Sequence, residues 1–168
     1  YVISEFSQES TPMFWYMPKK NGENSIAEIS RILETTDGVE PSGNSVMAGL
    51  LLAIGNYFEE PSYISRSEMM CTYMQNNISY PAYYANWASV TAAHSTGISM
   101  VVIAGPRAIE FARQLQSQFS PFTFFAAASN KSDIPVLMNK FKSDRTVIYK
   151  CIKNKCEAPI EKVEDFSF

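Results

Sequence analysis

No stretch of this chain approaches the ~20 consecutive apolar residues that a membrane-spanning helix requires, so the sequence reads as a protein without membrane helices. Histidine is nearly missing: His94 is the only one. A histidine-based metal site within the chain is thereby excluded, and the imidazole, near a helix C-terminus, reads as a packed ring or a complement to the helix dipole. No cofactor is expected. Cysteine is scarce and odd in number, with Cys71, Cys151 and Cys156. That argues against a dense disulfide framework and fits a reducing compartment, with the cytoplasm as the expected location. Positive charge is also short: 14 Lys and Arg face 17 Asp and Glu, for a net charge of -3. Such a balance lacks the electrostatic footprint of a nucleic-acid binder. The stretch "VIAGPRAIE" has the strand–glycine–helix shape of a nucleotide-binding turn but carries one glycine where the dinucleotide fingerprint needs three. Finally, the chain opens on "YVISEF" with no initiator methionine, basic n-region or cleavage site, and is expected to be a fragment with any targeting signal upstream.

What is present divides into two textures. Residues 12–33 read as two extended segments, "PMFWYM" and "NSIAEISRIL", turned by Pro18 and Asn21-Gly22, and predict a hairpin. From Asn44 apolar residues recur at helical spacing, with Ser42 or Asn44 as the N-cap, and the near-absence of a polar face predicts a largely buried helix. "EEPSYISRSEMMCTYMQNNIS" predicts an amphipathic helix started by Pro61, with Cys71 in its core face. A further buried helix opens at Tyr80-Pro81 and closes near Gly97. Buried, amphipathic, buried is the order of inner and outer helices in a layered helical array. From Ile98 strands alternate with helices ("ISMVVIAG", "PRAIEFARQLQSQF", "PFTFFAAA", "DIPVLMNKF", "RTVIYKCI"), and a small α/β lobe with a largely parallel sheet follows. The tail "APIEKVEDFSF" adds one last helical turn. The fold class is therefore mixed α and β, with a helical segment over 1–96 and the lobe over 97–168.

The chemistry concentrates at the first buried helix. "DGVEPSGNSV" places Asp37, Glu40, Ser42, Asn44 and Ser45 ahead of or within its first turn, where free N–H groups and the positive dipole end favour polar or anionic ligands. Capping alone accounts for Ser42 or Asn44, a turn for Gly43, and dipole complementation for Asp37 and Glu40. A cap, however, needs one residue and this stretch offers five. Asp37 and Glu40 are the candidate acid or base. The second buried helix opens with Tyr80, Tyr83, Tyr84 and Trp87 beside Asn86, aromatic faces and an amide that suit a sugar-like ring; tyrosine-rich core packing is the alternative. In "CIKNKC" Cys151 and Cys156 stand at a strand end with Lys150, Lys153 and Lys155 around them. A turn between the cysteines brings them close, either as a disulfide with redox potential use or as two reduced thiols.

In order, "DGVEPSGNSV", the "YP" opening a later helix, "VVIAG" and "YKCIKNKCEAP" resemble the C-terminal region of the thioredoxin-domain-containing proteins related to spermatogenesis-associated protein 20, whose wording is close to D-G-x-E-P-S-G-N-S and Y-x-C-x4-C-x-A-P. The resemblance spans roughly residues 37 to 160. It implies a longer protein in which a thioredoxin-like domain precedes an α/α barrel of the six-hairpin type, so that residues 1–96 supply its last hairpins. It also implies that Asp37, Glu40, Ser42, Asn44 and Ser45 face the barrel's cavity. The resemblance implies the N-terminal parts of the same protein as partners; the aromatic faces add a sugar-like small molecule, and the apolar helix faces that a truncated barrel exposes add a second copy. Two functions follow: one wall of a carbohydrate-like or other polar small-molecule site, inactive as an isolated chain, or a non-catalytic module that supports a redox domain.

Overall fold

The structure, a computed structural model, describes residues 1–18, 32–153 and 155–168. The fold is mixed α and β, as expected: five α-helices and a four-stranded sheet among the described residues. The chain divides into two compact units, one of Tyr1–Leu52 with Ser62–Ala92, the other of Ala53–Pro61 with Ala93–Phe168.

The first unit is helical. A short helix α1 (Val2–Phe6) precedes the expected hairpin, most of which lies outside the described residues. Within the described part, Phe14 forms an isolated antiparallel bridge with Ser7, and the Tyr16 N–H donates to the Ile32 carbonyl at 3.0 Å. Helix α2 (Gly43–Tyr57) starts where Ser42 can cap it. Helix α3 (Pro61–Gln75) starts on its proline, whose missing N–H is no loss in a first turn. Helix α4 (Ala85–Thr96) is preceded by a 3-10 turn at Pro81–Tyr84, kinked at Tyr83. The three long helices are tied by small contacts. Ser67 on α3 donates its hydroxyl to the Ala48 carbonyl of α2 at 2.7 Å. Gly49 on α2 faces Val90 on α4 closely enough that a Cβ there would lie 3.5 Å from the valine methyl. Ala48, Leu51, Met70, Cys71, Met74 and Trp87 are buried. Burial pushes the Cys71 thiol up, as expected of a core cysteine. One expectation is corrected. Helix α2 is not buried all round: Val46 and Leu50, one turn apart, are 52% and 48% exposed, leaving an apolar stripe open.

The second unit contains the sheet, in order β2-β1-β3-β4, from β1 (Ser99–Ala104), β2 (Thr123–Ala128), β3 (Val147–Ile152) and β4 (Lys155–Cys156). Helix α5 (Ala108–Gln116) connects β1 to β2, which run parallel from Ser99↔Thr123 to Ala104↔Ala128. The expected parallel pairing goes no further, because β3 runs antiparallel to β1, and β4 antiparallel to β3. The reason lies in the connection. The segment read as a helix, "DIPVLMNKF", forms only a 3-10 turn at Pro135–Leu137. A parallel strand requires the chain to cross back over the sheet, commonly through a full helix. Without that crossover the chain re-enters at the end it has just left, pairing Val147 with Ala104. Alternate residues Val101, Ile103 and Ile148 on one sheet face meet Ala108, Phe111, Ala112 and Leu115 of α5 in the core. Tyr57 stacks on Phe124 with ring centroids 5.8 Å apart, and its hydroxyl donates to the Phe125 carbonyl. The tail adds its one turn, Val163–Asp165.

Candidate functional site

Helix α2 exposes its first N–H groups to whatever the loop 37–42 supplies. Ser42 is the N-cap: its hydroxyl accepts from the Ser45 N–H at 3.2 Å. Asn44 is not a cap but a clamp, and three backbone groups converge on its amide. Its Oδ1 accepts from the Phe14 N–H at 2.8 Å, while Nδ2 donates to the carbonyls of Phe14 at 3.0 Å and Glu34 at 2.9 Å. The side chain is 4% exposed, so these bonds replace water rather than compete with it. Substituting Asn44→Ala is expected to lower stability by about 2 kcal/mol, since it strands those backbone groups; chemical denaturation measures this, and a change under about 0.5 kcal/mol would show that water reaches them.

Asp37 is the hub. Its Oδ1 accepts from the Ser42 N–H at 2.9 Å and the Ser45 hydroxyl at 2.7 Å. Its Oδ2 accepts from the N–H groups of Asn86 at 2.9 Å and Trp87 at 3.4 Å, in the first turn of α4. One carboxylate thus serves the N-termini of two helices, where negative charge is favoured. The knot is closed by Asn86, whose Nδ2 donates to the Ser45 hydroxyl at 2.9 Å, and by the Asp37 N–H, which donates to the Tyr83 carbonyl at 2.7 Å. Burial works against the charged carboxylate, but the Ser42, Ser45 and Asn86 donors outweigh it and hold the group below its ordinary 3.8. A carboxylate so supplied is a poor proton acceptor. The local chain favours this arrangement because Gly38 and Pro41 let it turn twice before the helix, with the Gly38 N–H donating to the Glu40 carbonyl.

The candidates therefore separate into two groups. Asp37, Ser42, Asn44, Ser45, Tyr84 and Trp87 are buried; Trp87 donates its indole N–H to the Thr35 carbonyl at 2.8 Å. Glu40, Tyr80 and Tyr83 are exposed, the two tyrosines at 60% and 53%, with ring centroids 5.4 Å apart. The backbone of Tyr83 is fastened to the Asp37 loop, so the carboxylate of Glu40 and the two rings belong to loops that a single knot holds together. Comparison with family models, with curated proteins and with solved structures finds no match. Among the described residues, no helix is long and apolar enough to cross a membrane, and no group of three or more His, Cys, Asp and Glu is placed to hold a metal ion.

Two residues that the sequence does not mark as site residues, Glu34 and Arg66, the latter expected only on the wet side of its helix, shape the same region. Glu34 accepts from the Gly43 N–H at 3.1 Å, covering another free donor of α2. With Phe6, Phe14, Trp15, Tyr16 and Met47 it lines a cavity of about 260 Å³ beside that helix start. Arg66 lies over the Phe14 ring, 3.9 Å from its centroid, and its Nε donates to the Pro12 carbonyl. Neither was signalled locally, because their partners lie nine and more than fifty residues away. Cys151 and Cys156 fall in the second unit and are joined as a disulfide across β3 and β4.

Proposed function

We propose that this chain is the C-terminal region of a longer protein of the kind related to spermatogenesis-associated protein 20, and that its helical unit is one wall of a carbohydrate-like or other polar small-molecule site. The observation that carries this reading is the double cap on Asp37. It sets the starts of α2 and α4 side by side, which is the arrangement of inner helices entering an α/α barrel from one end. The open apolar stripe of Val46 and Leu50 is where a neighbouring hairpin would pack. In this reading Asp37 holds the loops and Glu40 is the group that meets ligand, as the acid or base if the site is catalytic. Tyr80 and Tyr83 supply apolar ring faces beside it. The remaining wall, the thioredoxin-like domain and any second carboxylate belong to the rest of the protein, the proposed compartment is the cytoplasm, and the isolated chain is inactive.

A ligand screen by saturation-transfer NMR with mono- and oligosaccharides on the full-length protein tests this. Glu40→Gln and Tyr83→Ala are expected to weaken binding at least tenfold without moving the melting temperature, because both side chains are exposed. The saturated state of Asp37 favours the second reading, a non-catalytic module that positions a redox domain. Unchanged sugar affinity in both variants would select it.

A further inference from the structure

Cys151 and Cys156 bridge strand β3 to the edge strand β4, from which the chain's last segment runs on, and their surroundings are unequal. Cys151 is buried in β3, 3% exposed, whereas Cys156 is exposed on the two-residue edge strand β4. The pair faces across the ladder in register, with Cα atoms 3.9 Å apart. Beyond it the Glu157 N–H donates to the Lys150 carbonyl at 2.9 Å. The segment then returns along β3, with Ile148 and Ile160 exchanging N–H to carbonyl bonds at 2.7 and 2.9 Å, before Val163 and Phe166 pack on the core. The segment is therefore held twice, by the sulfurs and by its own packing. A bridge separated by only five residues closes one of the shortest loops that a disulfide can and constrains the unfolded chain least. That is the situation in which a bridge can open while the domain stays folded.

We propose that Cys151–Cys156 is a thiol–disulfide exchange site for an external dithiol, with Cys156 the sulfur attacked and the segment after it loosened by reduction. A thiolate of the dithiol attacks Cys156 Sγ, the S–S bond breaks, and its electron pair leaves on Cys151 Sγ, which takes up a proton from water. The dithiol's second thiol, losing its proton to water, then attacks the dithiol's own sulfur in the mixed disulfide. This releases Cys156 as a thiol and closes the dithiol into a disulfide, so two electrons pass to the protein. Attack is directed by access, because Cys151 is covered and Cys156 is not. The exposed Lys153 and Lys155 beside it attract an incoming thiolate.

The test uses the whole chain under native conditions with dithiothreitol as the dithiol, followed by iodoacetamide and mass spectrometry. The first alkyl group is expected on Cys156 and the second on Cys151, while buried Cys71 stays unmodified and far-ultraviolet circular dichroism is unchanged. Amide exchange over residues 155–160 is expected to rise at least tenfold on reduction while that of α5 stays constant. With oxidised glutathione, the C151S variant is expected to take up one glutathionyl group, releasing reduced glutathione, at least tenfold faster than C156S. Thiols that appear only together with Cys71 and with loss of the circular dichroism signal would overturn the proposal. So would equal rates in the two variants, or exchange over 155–160 that reduction leaves unchanged. If either variant fails to fold, the order of alkylation in the parent chain decides the same point.

Discussion

A D37N protein is expected to be about 3–4 kcal/mol less stable than the parent, as read by denaturant unfolding at pH 7. The carboxylate collects four donors from two helix starts, and it is 5% exposed. Hydrogen bonds to a buried charge are each stronger than neutral ones, and an asparagine presents one acceptor atom plus an NH2 that must face donors. The two terms act in the same direction. The pH dependence follows from the direction of the shift. Because the folded carboxyl is held below its unfolded value of 3.8, the contribution is complete above that value and is lost as pH falls through the lower, folded one. The stability gap between parent and D37N should therefore stay constant from neutral pH to about pH 5 and narrow below about pH 4. A gap that instead widens as pH falls from 7 to 5 would mean that Asp37 carries a raised value and is a candidate acid after all. A D37N protein as stable as the parent would remove Asp37 from the architecture altogether.

Gly105→Ala is expected to have a comparable effect, about 3–5 kcal/mol, by a different route. Gly105 ends β1 at φ +136°, a backbone conformation that side-chain-bearing residues rarely adopt. A Cβ there would lie 2.3 Å from the Arg145 carbonyl oxygen and 2.5 Å from the Thr146 Cα. Both are backbone atoms just ahead of β3, so no rotamer change can relieve the clash and the chain entering that strand must shift. Thr146 also accepts the Arg107 N–H on its hydroxyl at 2.9 Å, so that shift would take a bond from the start of α5 as well. Gly49→Ala is the internal control. Its Cβ would meet Val90 at an ordinary 3.5 Å, and alanine favours a helix interior over glycine by about 1 kcal/mol. Thermal unfolding of the two variants should therefore move in opposite directions. A Gly105→Ala protein that melts with the parent would show that the β1–β3 approach is looser than described.

The two largest effects come from residues that sequence reading treated differently. Asp37 drew attention because too many polar residues preceded one helix, and the surplus has a physical explanation: the stretch serves two helices and a distant backbone strand. Ser42 caps α2, Asn44 fastens Phe14, and Asp37 reaches α4. Gly105 drew attention as a weak remnant of a nucleotide-binding turn. In the structure its lack of a side chain admits a neighbouring strand's backbone.

What the sequence by itself determined is whatever short-range physics decides. Pro61 at the first turn of α3, the apolar period of α2, the apolar run of β1 and the helix α5 after it all lie where local pattern placed them, whereas α4, expected to be buried, leaves Ala85, Ala88, Ser89, Ser95 and Thr96 exposed. The closeness of Cys151 and Cys156 follows the same rule, since a chain reversal within five residues leaves them few places to go. Only the tertiary structure decided the rest, and each case involves a partner far along the chain. Asp37 became an anchor because Asn86 and Trp87, 49 and 50 residues later, arrive with unpaired N–H groups. Strand β3 runs antiparallel because the chain leaving β2 makes no crossover helix and re-enters beside Ala104. Glu40, Tyr80 and Tyr83 stay open while Tyr84 and Trp87 are covered, although all five carry the same polar-aromatic signal. Side-chain chemistry alone does not say which of them will face water; the kink at Tyr83 and the knot at Asp37 do.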